Sequence, residues 1–247
     1  MKRLFLVLIA ACCSSATAQV INIENRRFLN DTDGFVGRVD VNFSLNQNVQ
    51  QVMAFGSNVH AQYVKHRHRI LAIGDLSFIK AAKQDFVNAG YQHLRYNYKI
   101  GSRLTWEAFA QAQYNKVLQL DRRYLAGTGP RFKIIKKQNL RLYIGVLYMR
   151  EYQSQNNDSI KGWYNRLSSY FTLSYNFKKM DFTNTTFFQP NIEEPADYRI
   201  ASDSALEFVI SNHLNFKAGF NLLYDTRQPK RIPALTYALR NGLSFKF

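Results

Sequence analysis

Side chains alternate in character, residue by residue, along the last stretch of the sequence. Tyr237, Leu239, Leu243, Phe245 and Phe247 are apolar or aromatic, whereas Ala238, Arg240, Gly242, Ser244 and Lys246 lie between them. A period of two marks a β-strand with one face in oil and the other in water. The same pattern recurs back to Phe35, and it points to an all-β chain: a transmembrane antiparallel up-and-down β-barrel of about twelve strands with both termini periplasmic. Outer-membrane barrels finish on a strand of this kind with a terminal aromatic residue. Tyr237, Leu239, Leu243, Phe245 and Phe247 are therefore expected to form a C-terminal assembly signal for the barrel-assembly machinery.

The first clear strand covers Phe35 to Leu45, with Phe35, Val39, Val41, Phe43 and Leu45 on one side and Arg38, Asp40, Asn42 and Ser44 on the other. A turn at Asn46-Gln47-Asn48 leads to a second strand carrying Met53, Phe55, Val59 and Tyr63, and a third spans Ile70 to Phe78, where Leu71 and Ile73 blur the alternation. Between Phe86 and Tyr98 the apolar residues change parity, from Val87, Ala89 and Tyr91 to Leu94, Tyr96 and Tyr98, which a bulge would reconcile. From Leu104 to Tyr114 the alternation is clean, with Leu104, Trp106 and Tyr114 outward and Glu107, Gln111 and Gln113 inward. Further strands are expected over Arg122 to Ile134, Leu140 to Glu151, Trp163 to Phe177, Met180 to Gln189, Arg199 to Ser211, Leu214 to Tyr224 and Leu235 to Phe247. The turns at Lys136-Lys137-Gln138, Phe177 to Met180 and Ser211-Asn212-His213 are short and fall at the C-terminal end. Those at Tyr152 to Gly162, Pro190 to Asp197 and Thr226 to Ala234 are long and fall at the other end, as short periplasmic turns and long extracellular loops require.

The beginning of the sequence reads as an export signal over residues 1–18. Lys2 and Arg3 precede an apolar run from Leu4 to Cys13, and Ala16-Thr17-Ala18 offers small residues for cleavage before Gln19. Ile9-Ala10-Ala11-Cys12 also reads as a lipoprotein box that would acylate Cys12, although the apolar run before it is short. Residues 19–34 are polar and irregular, a periplasmic lead-in before the barrel at 35–247. Cleavage after Ala18 would leave neither Cys12 nor Cys13, hence no disulfide and no thiolate metal site. With a mean hydropathy of -0.32 and no long apolar run, a helical membrane protein is excluded. The 15 Tyr and 19 Phe against 5 Pro suit aromatic girdles, to which Trp106, Tyr114, Tyr148, Trp163, Tyr164 and Tyr175 are assigned. The formal charge is +16 and falls by two with Lys2 and Arg3. Behind an export signal such charge is read as facing outer-membrane lipid and lipopolysaccharide, small anionic solutes or carboxylates inside the barrel, and not nucleic acid.

The middle of the chain is similar to one family. The runs His93-Leu94-Arg95-Tyr96-Asn97-Tyr98, Trp106-Glu107-Ala108-Phe109-Ala110-Gln111 with Gln113-Tyr114-Asn115, and Leu120-Asp121-Arg122-Arg123-Tyr124-Leu125-Ala126-Gly127-Thr128-Gly129 resemble the salt-induced outer membrane proteins, a domain-of-unknown-function family of bacterial β-barrels. The resemblance covers Phe35 to Phe247 and implies the barrel fold in the outer membrane of a Gram-negative bacterium; it implies no reaction and no ligand. Pro130, directly after Gly129, departs from a smooth strand and suggests a bulge or a membrane-interface position.

Inward parity assigns Arg38, Asp40, Arg95, Glu107, Arg123, Arg131, Arg141, Arg166, Lys217 and Arg240 to the lumen, with Asp75, Glu151 and Glu207 among them. An open lumen of this kind would be a narrow channel for small anions, whereas charges paired across it would close it and leave a structural or envelope-stress barrel acting through its loops. His66 and His68, with His60 nearby, resemble a metal pair, yet no carboxylate adjoins them in sequence and a solvated basic turn explains them better. Glu193, Glu194 and Asp197 form an acidic loop that is more simply solubilising than calcium-binding. A lipid- or peptide-cleaving enzyme would need a serine or acidic site in register with His60, His93 or His213, and none is evident. The expectation is a monomeric, non-enzymatic barrel without cofactor or metal.

Overall fold

A computed structural model describes residues 33–47, 51–81, 84–155, 160–211, 213–230 and 232–245. The export signal, both cysteines, nearly all of the lead-in, Asn48, Asn212, Lys246 and Phe247 lie outside the described residues. Twelve antiparallel strands follow one another in a single sheet, each hydrogen-bonded to its neighbours in sequence. They are β1 (Gly34–Gln47), β2 (Gln51–Lys65), β3 (His68–Ala81), β4 (Gln84–Lys99), β5 (Leu104–Asn115), β6 (Leu120–Lys136), β7 (Leu140–Gln155), β8 (Ile160–Phe177), β9 (Met180–Pro190), β10 (Tyr198–Val209), β11 (Leu214–Asp225) and β12 (Leu235–Phe245). This is the up-and-down order that the alternation predicts, and β1 and β12 are the outermost strands of it.

The sheet curls around its own inner face. In a flat sheet β7 and β10 would stand about 14 Å apart. Instead Arg199 of β10 donates to Glu151 of β7 at 2.7 Å, and the Tyr170 hydroxyl of β8 donates to Glu107 of β5 at 2.6 Å. Outside, Trp106, Tyr124, Tyr148, Trp163, Phe171 and Phe188 are exposed, a continuous apolar exterior. Tyr237, Leu239, Leu243 and Phe245 stand on that same exterior, with Ala238 buried on the inner side of β12.

Departures from strict alternation have a common cause. Leu71 and Ile73 point inward and are buried against Tyr91. From Val87 to Tyr98 the register with β3 runs without interruption, so no bulge lies between the two apolar parities. The register shift is earlier, between the pairs Ile79–Val87 and Lys80–Asp85, where Phe86 has no partner. Val87 is buried in unchanged register with β3, so its burial needs no change of face by the strand.

Connectors also differ from expectation. β7 and β8 extend to Gln155 and from Ile160, so the expected long loop from Tyr152 to Gly162 shrinks to residues 156–159. Only the connectors 191–197 and 226–234 are long at that end. At the opposite end His66 adopts φ 56° and Lys178 φ 29°, left-handed values that tight hairpin turns favour.

Pro130 is accommodated by an interruption, not a bulge. It pairs with Trp106 on the β5 side, but toward β7 the ladder stops after Thr128–Tyr148 and resumes in unchanged register at Arg131–Gly145. Gly129 permits this approach: a Cβ there would lie 2.3 Å from the Val146 carbonyl oxygen. A Cβ on Gly127 would likewise meet the Phe109 ring at 2.5 Å, so the Gly-x-Gly run makes room for an inward aromatic ring and for the neighbouring strand.

Candidate functional site

Three layers of side chains fill the inner face, and they differ in charge balance. Nearest the long connectors, Glu151 is fully buried and receives three guanidinium groups. Arg123 Nε lies 3.2 Å away, Arg166 Nε 2.9 Å and Arg199 Nη1 2.7 Å. The cations have further anions: Arg166 Nη2 reaches both oxygens of Asp197 at 2.9 and 3.0 Å, and Arg199 Nε donates to Asp225 at 2.6 Å. Gln153 Oε1 accepts from Arg123 and Arg199 at 2.6 Å each. Arg227 closes the layer through Asp197 at 3.3 Å and Glu194 at 3.1 Å, and the Tyr164 ring lies beneath Arg166 and Arg227. Four arginines thus meet four carboxylates. Charges this deeply buried persist only when paired and hydrogen-bonded in such detail.

The middle layer is half apolar. Leu147, Tyr170, Phe187, Ala201 and Leu223 form one buried cluster with Phe109 packed on it, bringing β5, β7, β8, β9, β10 and β11 together. Burying each of the larger side chains contributes about 1.5–3 kcal/mol. Beside the cluster Glu107 is fully buried, with Arg95 Nη1 at 2.9 Å, Arg131 Nη1 at 3.7 Å and the Tyr170 hydroxyl at 2.6 Å. His93 shares a hydrogen bond with Gln111 at 2.8 Å and stacks on Phe109. The void left among His93, Phe109, Leu147, Tyr170 and Phe187 is about 20 Å³, room for about one water.

At the short-turn end the balance is lost. A cavity of about 130 Å³ is lined by Arg67, Arg69, Lys99, Arg103, Arg131 and Lys133, together with His66 and His68. No aspartate or glutamate lines it among the described residues. Arg131 packs 4.0 Å over the Tyr143 ring and joins this mouth to Glu107.

The residues assigned to the lumen are thus spread over distinct environments. Arg95, Glu107 and Arg131 meet in the middle layer, and Arg123 and Arg166 in the buried layer above it. Arg141 is half-buried near the short-turn end, opposite Lys136 and Ser174. Arg240 donates to Asn221 at 2.8 Å, and Asn221 bonds Asp203. Lys217 lies 3.5 Å from Glu207, both beside an open groove of about 480 Å³ between β9 and β12. Arg38 clasps Asp40 at 2.7 Å on β1, an outermost strand of the sheet, with its side chain 72% exposed.

Several assignments change. Arg199 and Asp225 are central to the buried layer and Arg227 lies at its border, although parity reading did not single them out; Arg199 shares the inward face of Ala201, and that spacing was the available signal. Asp197 is buried beneath Arg166, not a solvated loop acid, and Glu193 accepts from Asn165 at 2.7 Å. Tyr164 faces inward to Arg166, unlike the outward girdle residues Trp106, Tyr148 and Trp163. His66 does have a carboxylate nearby, Asp33 at 3.6 Å, brought there by folding, while His68 hydrogen-bonds the Tyr96 hydroxyl at 2.7 Å.

Comparisons with known proteins place this architecture in context. Solved structures similar to the chain include one described as a NanC porin in a rhombohedral crystal form, with 12% identity, TM-score 0.48 and coverage of 78% of this chain and 94% of that one. A bacterial polysaccharide outer membrane secretin is similar at 7% identity and TM-score 0.43, covering 86% of this chain and 91% of the other. A TodX monoaromatic hydrocarbon channel, in its deltaS2 mutant, is similar at 10% identity and TM-score 0.43, covering 87% and 81%. No curated protein matches the chain. The family model described as "Protein of unknown function, DUF481" matches residues 39–247, and the chain belongs to that family.

Proposed function

We propose that the chain is a monomeric, non-enzymatic outer-membrane barrel, with its short-turn end in the periplasm, whose interior is closed to solutes at rest. The observation that carries this reading is the Glu151 layer. Three arginines converge on one fully buried carboxylate, with Asp197 and Asp225 completing the pairing, directly above the Leu147–Tyr170–Phe187 cluster. A water-filled pore keeps its charged residues hydrated along a path, whereas these side chains hydrate one another's place. The apolar exterior supports a lipid setting, since a patch this extensive needs a non-aqueous neighbour.

A narrow anion channel is the second reading, favoured by the basic lining of the mouth alone. It would require the Glu151 layer to rearrange during transport. Cell fractionation with heat-modifiable migration tests the membrane assignment, and swelling of proteoliposomes in small sugars and carboxylates tests closure. Closure predicts no swelling beyond empty liposomes. Swelling by the unmodified protein, graded by solute size, would favour the channel.

A further inference from the structure

We infer that the basic mouth is a binding site for a small phosphate-type oxyanion. The inference rests on the closed-barrel reading in one respect: with the middle layer sealed, the cavity is blind-ended and holds an anion instead of passing it.

The walls come from strands β2 to β7 with the β2–β3 turn and the β4–β5 connector, so the cavity is built by the curl of the sheet and not by one flexible loop. Arg67, Arg69, Lys99, Arg103, Arg131 and Lys133 point at one volume. No aspartate or glutamate lines the cavity among the described residues; Glu107, 3.7 Å from Arg131 and shared with Arg95, and Asp33, 3.6 Å from His66, lie at its edge. Formal positive charge therefore exceeds negative charge here, in contrast to the balanced Glu151 layer. Like charges gathered in a concave site raise one another's energy, and a multivalent anion offsets that cost.

Chemistry narrows the ligand. Arginine forks match two oxygens of a phosphate or carboxylate at once, and several forks around one centre favour a group with oxygens on every side, which is phosphate. At about 130 Å³ the space exceeds that of one water and falls below the ~300 Å³ at which drug-sized pockets begin. Inorganic phosphate, pyrophosphate or the phosphate end of a larger solute fits. The cavity opens on the inner face at the short-turn end, away from the apolar exterior, which favours a soluble anion over a lipid headgroup.

The test is calorimetric titration of the full chain, refolded in detergent at constant ionic strength, with inorganic phosphate and with pyrophosphate. Saturable binding at one site is expected, tighter for pyrophosphate. The double variant Arg67→Gln/Arg103→Gln, whose exposed positions flank turns, should bind about 30-fold more weakly while keeping heat-modifiable mobility. The double variant Lys116→Gln/Lys230→Gln loses the same charge at the opposite end and should bind as the parent does. Absence of saturable binding, or equal weakening in both double variants, would overturn the site. Competition by short-chain phosphatidic acid would assign the phosphate to a lipid, and absence of competition to a soluble anion. Solute swelling is measured separately, so a conducting barrel that still binds phosphate would refute closure and leave the site standing.

Discussion

The Glu151 layer and the basic mouth are built from the same residue type and put it to opposite uses. In the first, Arg123, Arg166, Arg199 and Arg227 are matched by Glu151, Asp197, Asp225 and Glu194, three of the arginines are buried, and the Gln153 amide and the Tyr164 ring pack against the guanidinium groups. In the second, Arg67, Lys99 and Arg103 stand exposed around an opening. Paired burial makes a layer rigid, because every displaced charge leaves another uncompensated. Excess charge gathered at an open mouth repels itself and attracts anions. Arginine content alone therefore says nothing about conduction; what decides it is where the carboxylates fall.

The contrast is broken most severely by removing its hub. Glu151→Ala should destabilise the fold by about 3–5 kcal/mol, since three guanidinium groups lose a shared partner. Guanidinium unfolding followed by the fluorescence of Trp106 and Trp163 measures this, and a change under 1 kcal/mol, on the order of a surface substitution, would mean that the layer is not sealed. Next is Gly145→Ala. A Cβ there would stand 2.1 Å from the Tyr170 ring, which Glu107 and the apolar cluster hold in place, so a cost of about 1–3 kcal/mol is expected in the same unfolding curves.

Smaller effects sharpen the comparison. Arg227→Gln should cost less than about 1 kcal/mol, because its side chain is 41% exposed and solvent screens its pairs with Asp197 and Glu194. Arg103→Gln, at the mouth, should leave stability within about 0.5 kcal/mol of the parent, yet weaken phosphate binding. If Arg103→Gln destabilises as strongly as Glu151→Ala, the distinction between paired and surplus arginine fails.

Much of this was legible in the sequence where water or lipid decides each side chain. Leu104 to Tyr114 alternates cleanly, and β5 begins at Leu104 and ends one residue beyond Tyr114. Legibility declines where the interior is neither. Leu71 and Ile73 face inward into apolar packing and Val87 is buried, so a reading that equates apolar with outward places them wrongly or asks for a bulge. It declines again in connectors, which have no period to read. Asp197 is carried into the barrel by the turn of 191–197, where its backbone nitrogen bonds the Glu194 carbonyl oxygen, and only folding shows that its partner is Arg166. Parity singled out Glu151 and Arg166 but not Arg199, and a pairing across three strands, as between Glu151 and Arg199, depends on curvature that no local pattern encodes.

Closure is tested most directly by single-channel recording of the refolded protein in a planar bilayer, alongside the Glu151→Ala variant. Closure predicts silence from the parent across moderate voltages and either current or unfolding in the variant. A steady ohmic current from the parent, unchanged when Arg166 or Arg199 is replaced by glutamine, would contradict the claim that the Glu151 layer closes the barrel.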